Sequence, residues 1–156
     1  MKEIKDRKIY NVIPLKLKNY EEIATIWEAS VRATHNFLKE EDILFFRTLI
    51  ITEYLPNVQL YGIKINSSIA GFAGIANNKI EMLFVSPERF GKGIGETLLK
   101  YVISTYHCTE VDVNEQNTQA ANFYKKNGFI IVNKSEIDST GKSYPILHLQ
   151  YFSKLS

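Results

Sequence analysis

Three glycines at alternate positions, Gly91, Gly93 and Gly95, form a short loop with Lys92 between a predicted strand and a predicted helix. Glycine permits backbone conformations and close approaches that a Cβ atom would prevent. The N-terminus of a helix presents unpaired amide groups and the positive end of its dipole, which together suit a phosphate or pyrophosphate. This glycine loop, defined as residues 91–95 and including Ile94, is therefore predicted to hold a phosphorylated ligand.

Two common phosphate-binding motifs do not fit the glycine loop. A P-loop has the pattern G-x-x-x-x-G-K-[ST], and neither Gly-Lys-Ser nor Gly-Lys-Thr directly follows this strand. A dinucleotide-binding fingerprint has the pattern G-x-G-x-x-G, but its third glycine would fall on Glu96. Two alternatives stay open: a different phosphate ligand, or a helix-initiating turn that binds nothing.

A nucleophilic cysteine is another chemistry that the sequence suggests, because His107 directly precedes Cys108, the single cysteine. Adjacent side chains on a helix or strand point in different directions, which is a poor arrangement for proton transfer. Because an unpaired cysteine commonly acts as a small buried apolar side chain, we interpret Cys108 as a packing residue. A single cysteine also excludes an intrachain disulfide and a multi-cysteine zinc site, and we expect no metal.

The elements that position these residues follow from hydrophobic periodicity and turn signals. Asn19 with Glu22 three residues later predicts a capping box for the first helix, and Pro56 is expected to end the second, which is apolar on nearly all sides. Strands are predicted at 9–15, 58–65, 69–76, 79–85, 109–114, 129–137 and 145–152, and helices at 20–33, 40–55, after Pro87 and at 118–126. Strands joined through a helix must be parallel if they pair, so we expect an α/β (α+β) fold with a mixed sheet.

Length and composition bound the class of protein. The chain has 156 residues and a mass of 18.0 kDa, which predicts a single domain over residues 1–156. A net charge of +2 favours neither nucleic acid nor a membrane surface as partner. The charged segment from Met1 to Arg7 is not followed by an apolar stretch, so we expect no signal peptide and a cytoplasmic protein.

Two segments together resemble the GNAT (Gcn5-related) N-acetyltransferase family. The glycine loop with Phe90 resembles the family signature Q/R-x-x-G-x-G/A, although Phe90 stands where Arg or Gln is usual and Arg89 lies one place earlier. Residues 117–129 resemble the downstream signature N-x-x-A-x-x-F-Y-x-K-x-G-F. The resemblance covers the element order over residues 9–152 and implies a mostly antiparallel sheet whose two central parallel strands splay apart. Residues 33–38 and 113–117 further resemble a small bacterial subgroup with suggested protein-lysine acetyltransferase activity.

The resemblance implies acetyl-CoA (coenzyme A) as cosubstrate. The glycine loop, with Gly91, Lys92, Gly93, Ile94 and Gly95, would take the pyrophosphate. The backbone of Leu83, Phe84 and Val85 would pair with the pantetheine as a strand does. Asn117 would also bond the pantetheine, and Lys126 would meet a phosphate.

The same resemblance implies direct attack of a primary amine on the thioester within a ternary complex. Tyr124 would protonate the leaving thiolate, since a phenol is a donor with an ordinary pKa near 10. Either Glu81 or His35 would accept the amine proton, and His148 is a further candidate in the acceptor pocket. Each of these residues also has a structural interpretation without a catalytic role. Tyr124 would then be a packing residue of the core, Glu81 a solvent-exposed strand residue, and His35 a partner of the last carbonyls of its helix.

The acceptor is a small-molecule amine or a protein lysine, and the residues leave that choice open. A non-catalytic CoA-binding or regulatory module is the alternative function, which Phe90 favours and Tyr124 disfavours. The apolar second helix also predicts a possible homodimer.

Overall fold

A computed structural model describes residues 9–152 of the chain. It contains one seven-stranded sheet in the order β1-β2-β3-β4-β5-β7-β6 with helices on both faces. The strands are β1 (Ile13–Leu15), β2 (Gln59–Ile65), β3 (Ser68–Ala76), β4 (Lys79–Val85), β5 (Glu110–Asn114), β6 (Phe129–Ser135) and β7 (Ile146–Tyr151). The α-helices are α1 (Tyr20–Thr34), α2 (Glu40–Leu49), α3 (Ile94–Tyr106) and α4 (Thr118–Lys126).

The sheet is antiparallel except in its middle, which confirms the predicted mixed sheet. Strands β1 to β4 pair antiparallel in sequence order, and β7 pairs antiparallel with both β5 and β6. Strands β4 and β5 are connected through α3 and are parallel, as a helical crossover requires. Their register contains two residue pairs, Lys79 with Glu110 and Ile80 with Val111, so the predicted splay is present.

Each face of the sheet has its own apolar core. The first core packs α1 and α2 against β2 to β4, with Ile23, Leu55 and Phe72 among its most buried side chains. The second packs α3 and α4 against β2 to β7 on the opposite face, around Leu98 and Phe129. These two cores hold the helices in place against the sheet. They thereby also fix the positions of the helix ends and of the loops next to them.

The predicted capping box at the first helix is wrong. Asn19 Oδ1 instead accepts a hydrogen bond from the backbone amide of Lys16 at 2.8 Å, so it caps the turn that precedes α1. Glu22 accepts from the amide of Ile69 on β3 at 2.8 Å, which fastens α1 to the sheet. Glu22 thus bonds a residue 47 positions away in the sequence instead of the backbone amide of Asn19, the partner that a capping box requires.

Other boundaries shift for similar reasons. The first strand covers Ile13–Leu15 instead of 9–15, and Tyr10 donates its hydroxyl to the Lys92 carbonyl at 2.9 Å. The predicted helix at 40–55 becomes α2, a π-helical segment (Ile50–Tyr54) and a 3-10 turn (Leu55–Asn57) around Pro56. The absence of a signal peptide concerns Met1 to Arg7, which lie outside the described residues.

Helix α2 is less buried than its composition suggests. Leu44 and Phe45 are 53% and 43% exposed, and Lys142 Nζ lies 4.7 Å from the centre of the Phe45 ring. The homodimer therefore stays a prediction, to be decided by sedimentation velocity of the wild type and of Leu44→Glu.

Across residues 9–152, we find no helix with the length and apolar character needed to cross a bilayer.

Candidate active site

A cleft of about 470 Å³ opens where β4 and β5 separate. Its walls come from residues 80–85 of β4, residues 111–114 of β5, the glycine loop, α4 and the C-terminal end of α1. The site residues predicted from the sequence line this cleft, with the exceptions of Lys92 and His148. The tertiary structure therefore brings together five segments of the chain.

Glu81 lies at a bulge in β4, beside the point where the strands diverge. Met82 pairs with Gly74 and Ile80 pairs with Ile75, so Glu81 has no opposing residue on β3. Leu83 and Val85 pack toward the second core, and Met82 and Phe84 toward the first. The Glu81 side chain is exposed and lines the cleft.

The glycine loop has the backbone conformation that only glycine adopts easily. Gly91 and Gly93 have φ angles of 76° and 85°, and a Cβ atom at either position would meet no atom within 4 Å. The conformation, rather than crowding within the protein, therefore requires glycine at these two positions. Gly93 is the N-cap of α3 and offers no side chain to the first amides of that helix.

Tyr124 lies on α4 in an almost completely buried position. Its ring contacts Phe123 and Phe129 with centroid separations of 5.1 Å and 5.3 Å, both in edge-to-face geometry. Burial raises the pKa of the Tyr124 phenol well above its ordinary value. The phenol therefore stays protonated at physiological pH, as a proton donor in the cleft must be.

His35 is buried at the C-terminal end of α1, and both its ring nitrogens have partners. Nδ1 lies 2.7 Å from Thr34 Oγ1, and Nε2 lies 3.2 Å from Nδ2 of Asn117. Thr34 Oγ1 donates in turn to the Ser30 carbonyl at 2.8 Å. Burial lowers the pKa of His35 to about 4, so the imidazole is neutral at physiological pH.

Asn117 determines which His35 nitrogen carries the hydrogen. Its Oδ1 accepts a hydrogen bond from the backbone amide of Ala120 at 3.1 Å and so caps α4. The Nδ2 group must then face His35 and donate to Nε2. Nδ1 therefore carries the ring hydrogen and donates to Thr34, an assignment that follows from the network of donors and acceptors.

Asp112 on β5 is a cleft residue that sequence reasoning did not identify. Its Oδ2 lies 2.7 Å from Lys79 Nζ, and its Oδ1 lies 2.7 Å from Nδ1 of His148, whose Nε2 lies 2.7 Å from Ser135 Oγ. The polar alternation of Glu110, Asp112 and Asn114 marked one face of β5 as polar. It did not reveal the partners, because these come from β4, β6 and β7.

The charge on Lys79 is maintained by its neighbours. Partial burial lowers its pKa, but the hydrogen bond to Asp112 and the charges of Asp112, Glu81 and Glu110 together raise it above the ordinary value. One cation thus lies among three carboxylates beside the cleft. The summed charge of these four side chains is negative.

The loop between β6 and β7 is fastened to α2 near the same opening. Tyr144 donates its hydroxyl to Asp42, and Lys142 Nζ lies 3.0 Å from the second carboxylate oxygen. These two contacts lower the pKa of Asp42. Phe37 lies between the rings of His35 and Tyr144, at centroid distances of 5.1 Å and 6.0 Å.

Cys108 is buried in the second core, as predicted from its sequence context. Burial raises the pKa of its thiol to about 11, so the thiolate is rare at physiological pH. Within residues 9–152, no group of three or more His, Cys, Asp or Glu side chains is arranged to hold a metal ion.

The cleft suits a long ligand with a phosphate at one end. Unpaired amides at the start of α3 and the Lys126 side chain provide donors for phosphate oxygens. Beyond Ile80 and Val111, β4 and β5 no longer pair with each other. The edge of β4 that faces β5 is therefore available for main-chain hydrogen bonds at Leu83, Phe84 and Val85. Pyrophosphate and pantetheine groups match this donor set.

Residues 33–144 match the acetyltransferase (GNAT) domain family. The chain belongs to the GNAT acetyltransferase family. This GNAT chain is 36% identical to the peptidyl-lysine N-acetyltransferase YjaB of Salmonella typhimurium over 132 residues, which cover 84% of the chain and 90% of YjaB. It is 37% identical to YjaB of Escherichia coli over 135 residues, which cover 84% and 89%. The solution structure of apo YjaB from Escherichia coli superposes with a TM-score of 0.85 at 33% identity, covering 94% of this chain and 99% of YjaB.

Family membership gives the reaction class. The protein is an N-acetyltransferase that takes its acetyl group from acetyl-CoA and transfers it to an amine. The fold and cosubstrate predicted from the two sequence signatures are confirmed. The individual roles of the cleft residues and the identity of the acceptor are proposals, developed below.

Proposed function

We propose that this GNAT enzyme acetylates lysine side chains of proteins. The observation that carries the proposal is the 36–37% identity to the peptidyl-lysine N-acetyltransferases YjaB over 84% of the chain. A lysine ammonium on its flexible stem is a cation that can enter a cleft from a protein surface. The carboxylates of Glu81, Glu110 and Asp112 around Lys79 would attract such a group.

The donor side of the reaction would use the backbone more than side chains. The glycine loop and Lys126 would hold the pyrophosphate, and the free edge of β4 would pair with the pantetheine. Asn117 retains hydrogen-bonding capacity, because its amide has a second N–H and its carbonyl a second lone pair. Lys92, whose side chain does not line the cleft, would act only through long-range attraction.

The chemical step would need one proton donor and one proton acceptor. The amine nitrogen forms a bond to the thioester carbonyl carbon, the C–S bond breaks, and Tyr124 donates its phenolic proton to the leaving sulfur. The proton that the acylated nitrogen releases balances the one that Tyr124 has given up, so the phenol is restored. The amine must lose a proton before it attacks, because an alkylammonium with a pKa near 10.4 is unreactive at neutral pH. The exposed carboxylate of Glu81, in the cleft and beside the diverging strands, is our choice of acceptor for that proton.

His35, the other candidate base, has a less favourable geometry. Its one basic lone pair, on Nε2, already accepts a hydrogen bond from Asn117. Its low pKa, about 4, also makes it a weak proton acceptor. A non-catalytic CoA-binding module is disfavoured because Tyr124 lies in the cleft as a protonated phenol.

Acetylation of a lysine peptide tests the proposed acceptor. The purified enzyme is incubated with acetyl-CoA and a peptide that contains one internal lysine. Acetyl transfer is followed by thiol release and by a mass increase on the peptide. We expect acetylation at the lysine side chain and none when that lysine is replaced by arginine.

A panel of small amines, including spermidine, free lysine and an aminoglycoside, serves as the comparison. Turnover of a small amine with no acetylation of the lysine peptide or of a folded protein would contradict the proposal. Tyr124→Phe is the control for enzyme-catalysed transfer, because acetyl-CoA also acetylates lysine slowly without an enzyme.

A further inference from the structure

The hydrogen bond between His35 and Asn117 joins two helices that pack on opposite faces of the sheet. Helix α1 belongs to the first core, whereas Ala121 and Tyr124 of α4 belong to the second. Because β4 and β5 separate after two residue pairs, side chains from the two faces can meet in the gap. His35 and Asn117 lie 82 residues apart in sequence and both line the cleft.

We propose that His35 is a positioning residue, whose neutral imidazole fastens the end of α1 to the N-cap of α4. This inference rests on the acetyltransferase function, and it assigns His35 a role other than that of the base. Thr34 and Ser30 hold the ring from the α1 side, through Nδ1. Nε2 then presents an acceptor in a fixed direction to Asn117.

The position of α4 matters because the helix and its N-cap carry three of the proposed site residues. Asn117 caps the helix, Tyr124 lies within it, and Lys126 ends it. The helix has only nine residues, so a shift at its N-cap is transmitted to Tyr124. A misplacement of about 1 Å in an active site can reduce the rate by roughly 100-fold.

The contact also connects the cleft with the loop between β6 and β7. His35 contacts Phe37, which contacts Tyr144 on the loop between β6 and β7. Tyr144 is bonded to Asp42 on α2. Through His35 and Asn117, the loop between β6 and β7 is linked to α4, which carries the proposed proton donor Tyr124.

Protonation of His35 would break the link. An imidazolium has hydrogens on both ring nitrogens, so Nε2–H would face the N–H donors of Asn117. The charged and titratable groups on the elements around His35 include Arg32 on α1, Asp42, Lys142 and Tyr144 where the loop between β6 and β7 meets α2, and Glu81, Asp112, Tyr124 and Lys126 in the cleft. Burial keeps the ring neutral, and a neutral ring is what the Asn117 amide requires.

Two amide variants test the proposal. The amide of glutamine lies near the position of Nε2, so His35→Gln keeps an acceptor for Asn117. The shorter asparagine places its amide near Nδ1, so His35→Asn keeps the Thr34 contact and loses Asn117. We expect His35→Gln to retain kcat within about threefold and His35→Asn to lose about 10- to 100-fold, in line with a misplaced proton donor.

The pH–rate profile distinguishes positioning from base catalysis. If His35 positions α4, both amide variants keep the acidic limb of kcat/KM. Loss of the acidic limb in His35→Gln, or equal activity of the two variants, would overturn the proposal.

A readout that needs no acceptor keeps the test independent of the proposed lysine substrate. Long-range ¹H–¹⁵N correlation spectra of the imidazole should show the Nδ1–H tautomer in the wild-type protein at pH 7, since Asn117 donates to Nε2. In Asn117→Asp, the carboxylate favours a hydrogen on Nε2, so we expect the tautomer to change. An Nε2–H tautomer in the wild type would contradict the proposed positioning role of His35, even if lysine acetylation were confirmed.

Discussion

Lys79 Nζ lies 2.7 Å from Asp112 Oδ2, and this ion pair joins β4 to β5 at the point where the two strands begin to separate. Both side chains are about one-third exposed, so the pair is partly shielded from water. The second oxygen of Asp112 is bonded to His148. Asp112 is therefore engaged on both oxygens, whereas Glu81 one strand away is exposed in the same cleft.

This difference predicts which carboxylate accepts the amine proton. We expect Glu81→Gln to remove the acidic limb of the pH–rate profile and to reduce kcat/KM by about 100-fold or more at neutral pH. Asp112→Asn is the matched control, because it also removes one carboxylate from the cleft, and it should keep the limb. If the limb disappears in Asp112→Asn and persists in Glu81→Gln, the base is Asp112.

Tyr124→Phe tests the proton donor. The variant keeps the ring that contacts Phe123 and Phe129 and removes only the hydroxyl. We expect kcat to fall by roughly 100- to 10,000-fold, while the affinity for acetyl-CoA measured by calorimetry changes little. Tyr101→Phe on α3, which contacts Tyr61 and Tyr106 away from the cleft, is the control and should leave kcat unchanged. An active Tyr124→Phe enzyme would exclude the phenol as the acid.

Gly93→Ala tests the glycine loop. An L-residue at a φ of 85° costs about 1–2 kcal/mol, so the free energy of unfolding should decrease by that amount. We also expect weaker acetyl-CoA binding, because the first amides of α3 would be displaced. Gly141→Ala is a matched control, since Gly141 also has a φ of 85° and open space around its Cβ position. Equal affinities for acetyl-CoA in the two variants would contradict the assigned pyrophosphate site.

The buried imidazole of His35 predicts how stability depends on pH. The unfolded residue has an ordinary pKa of 6.5 and the folded residue a pKa of about 4, so the unfolded state binds more protons between these values. Stability therefore falls as the pH drops from 6.5 toward 4, and His35 alone accounts for about 2 kcal/mol of loss at pH 5. Urea unfolding at pH 7 and pH 5 measures it, with His35→Gln as the reference that lacks this group. Equal losses of unfolding free energy between pH 7 and pH 5 in both proteins would show that His35 titrates normally.

Cys108 should be chemically silent in the folded protein. Its thiol is completely buried and its pKa is raised to about 11, so both access and thiolate formation are limited. We expect a thiol reagent to label the native protein at least 100-fold more slowly than the protein in urea. We also expect the alanine variant, Cys108→Ala, to keep its kcat for acetyl transfer. Rapid labelling accompanied by loss of activity would instead indicate a functional thiol.

Several features of this protein depend on short-range sequence and were readable from it. The bounds predicted for β4 (Lys79–Val85) and α4 (Thr118–Lys126) agree with the structure, because alternation and helical spacing are local signals. The glycine loop also carries its own conformational requirement, a positive φ at Gly91 and Gly93. With the second signature, these segments were enough to predict the family, the fold and the cosubstrate.

Tertiary structure alone decided which side chains meet in the cleft. Strand β7 inserts between β5 and β6, and only this order brings His148 to Asp112 and Ser135. The bond between His35 and Asn117 exists because β4 and β5 part and let the two faces of the sheet touch. Glu22 bonds a strand instead of its own helix for the same reason: a partner distant in sequence was close in space. The resemblance of two short signatures to the GNAT family thus predicted the reaction class, whereas the sheet order and the gap within it set the partners of each group.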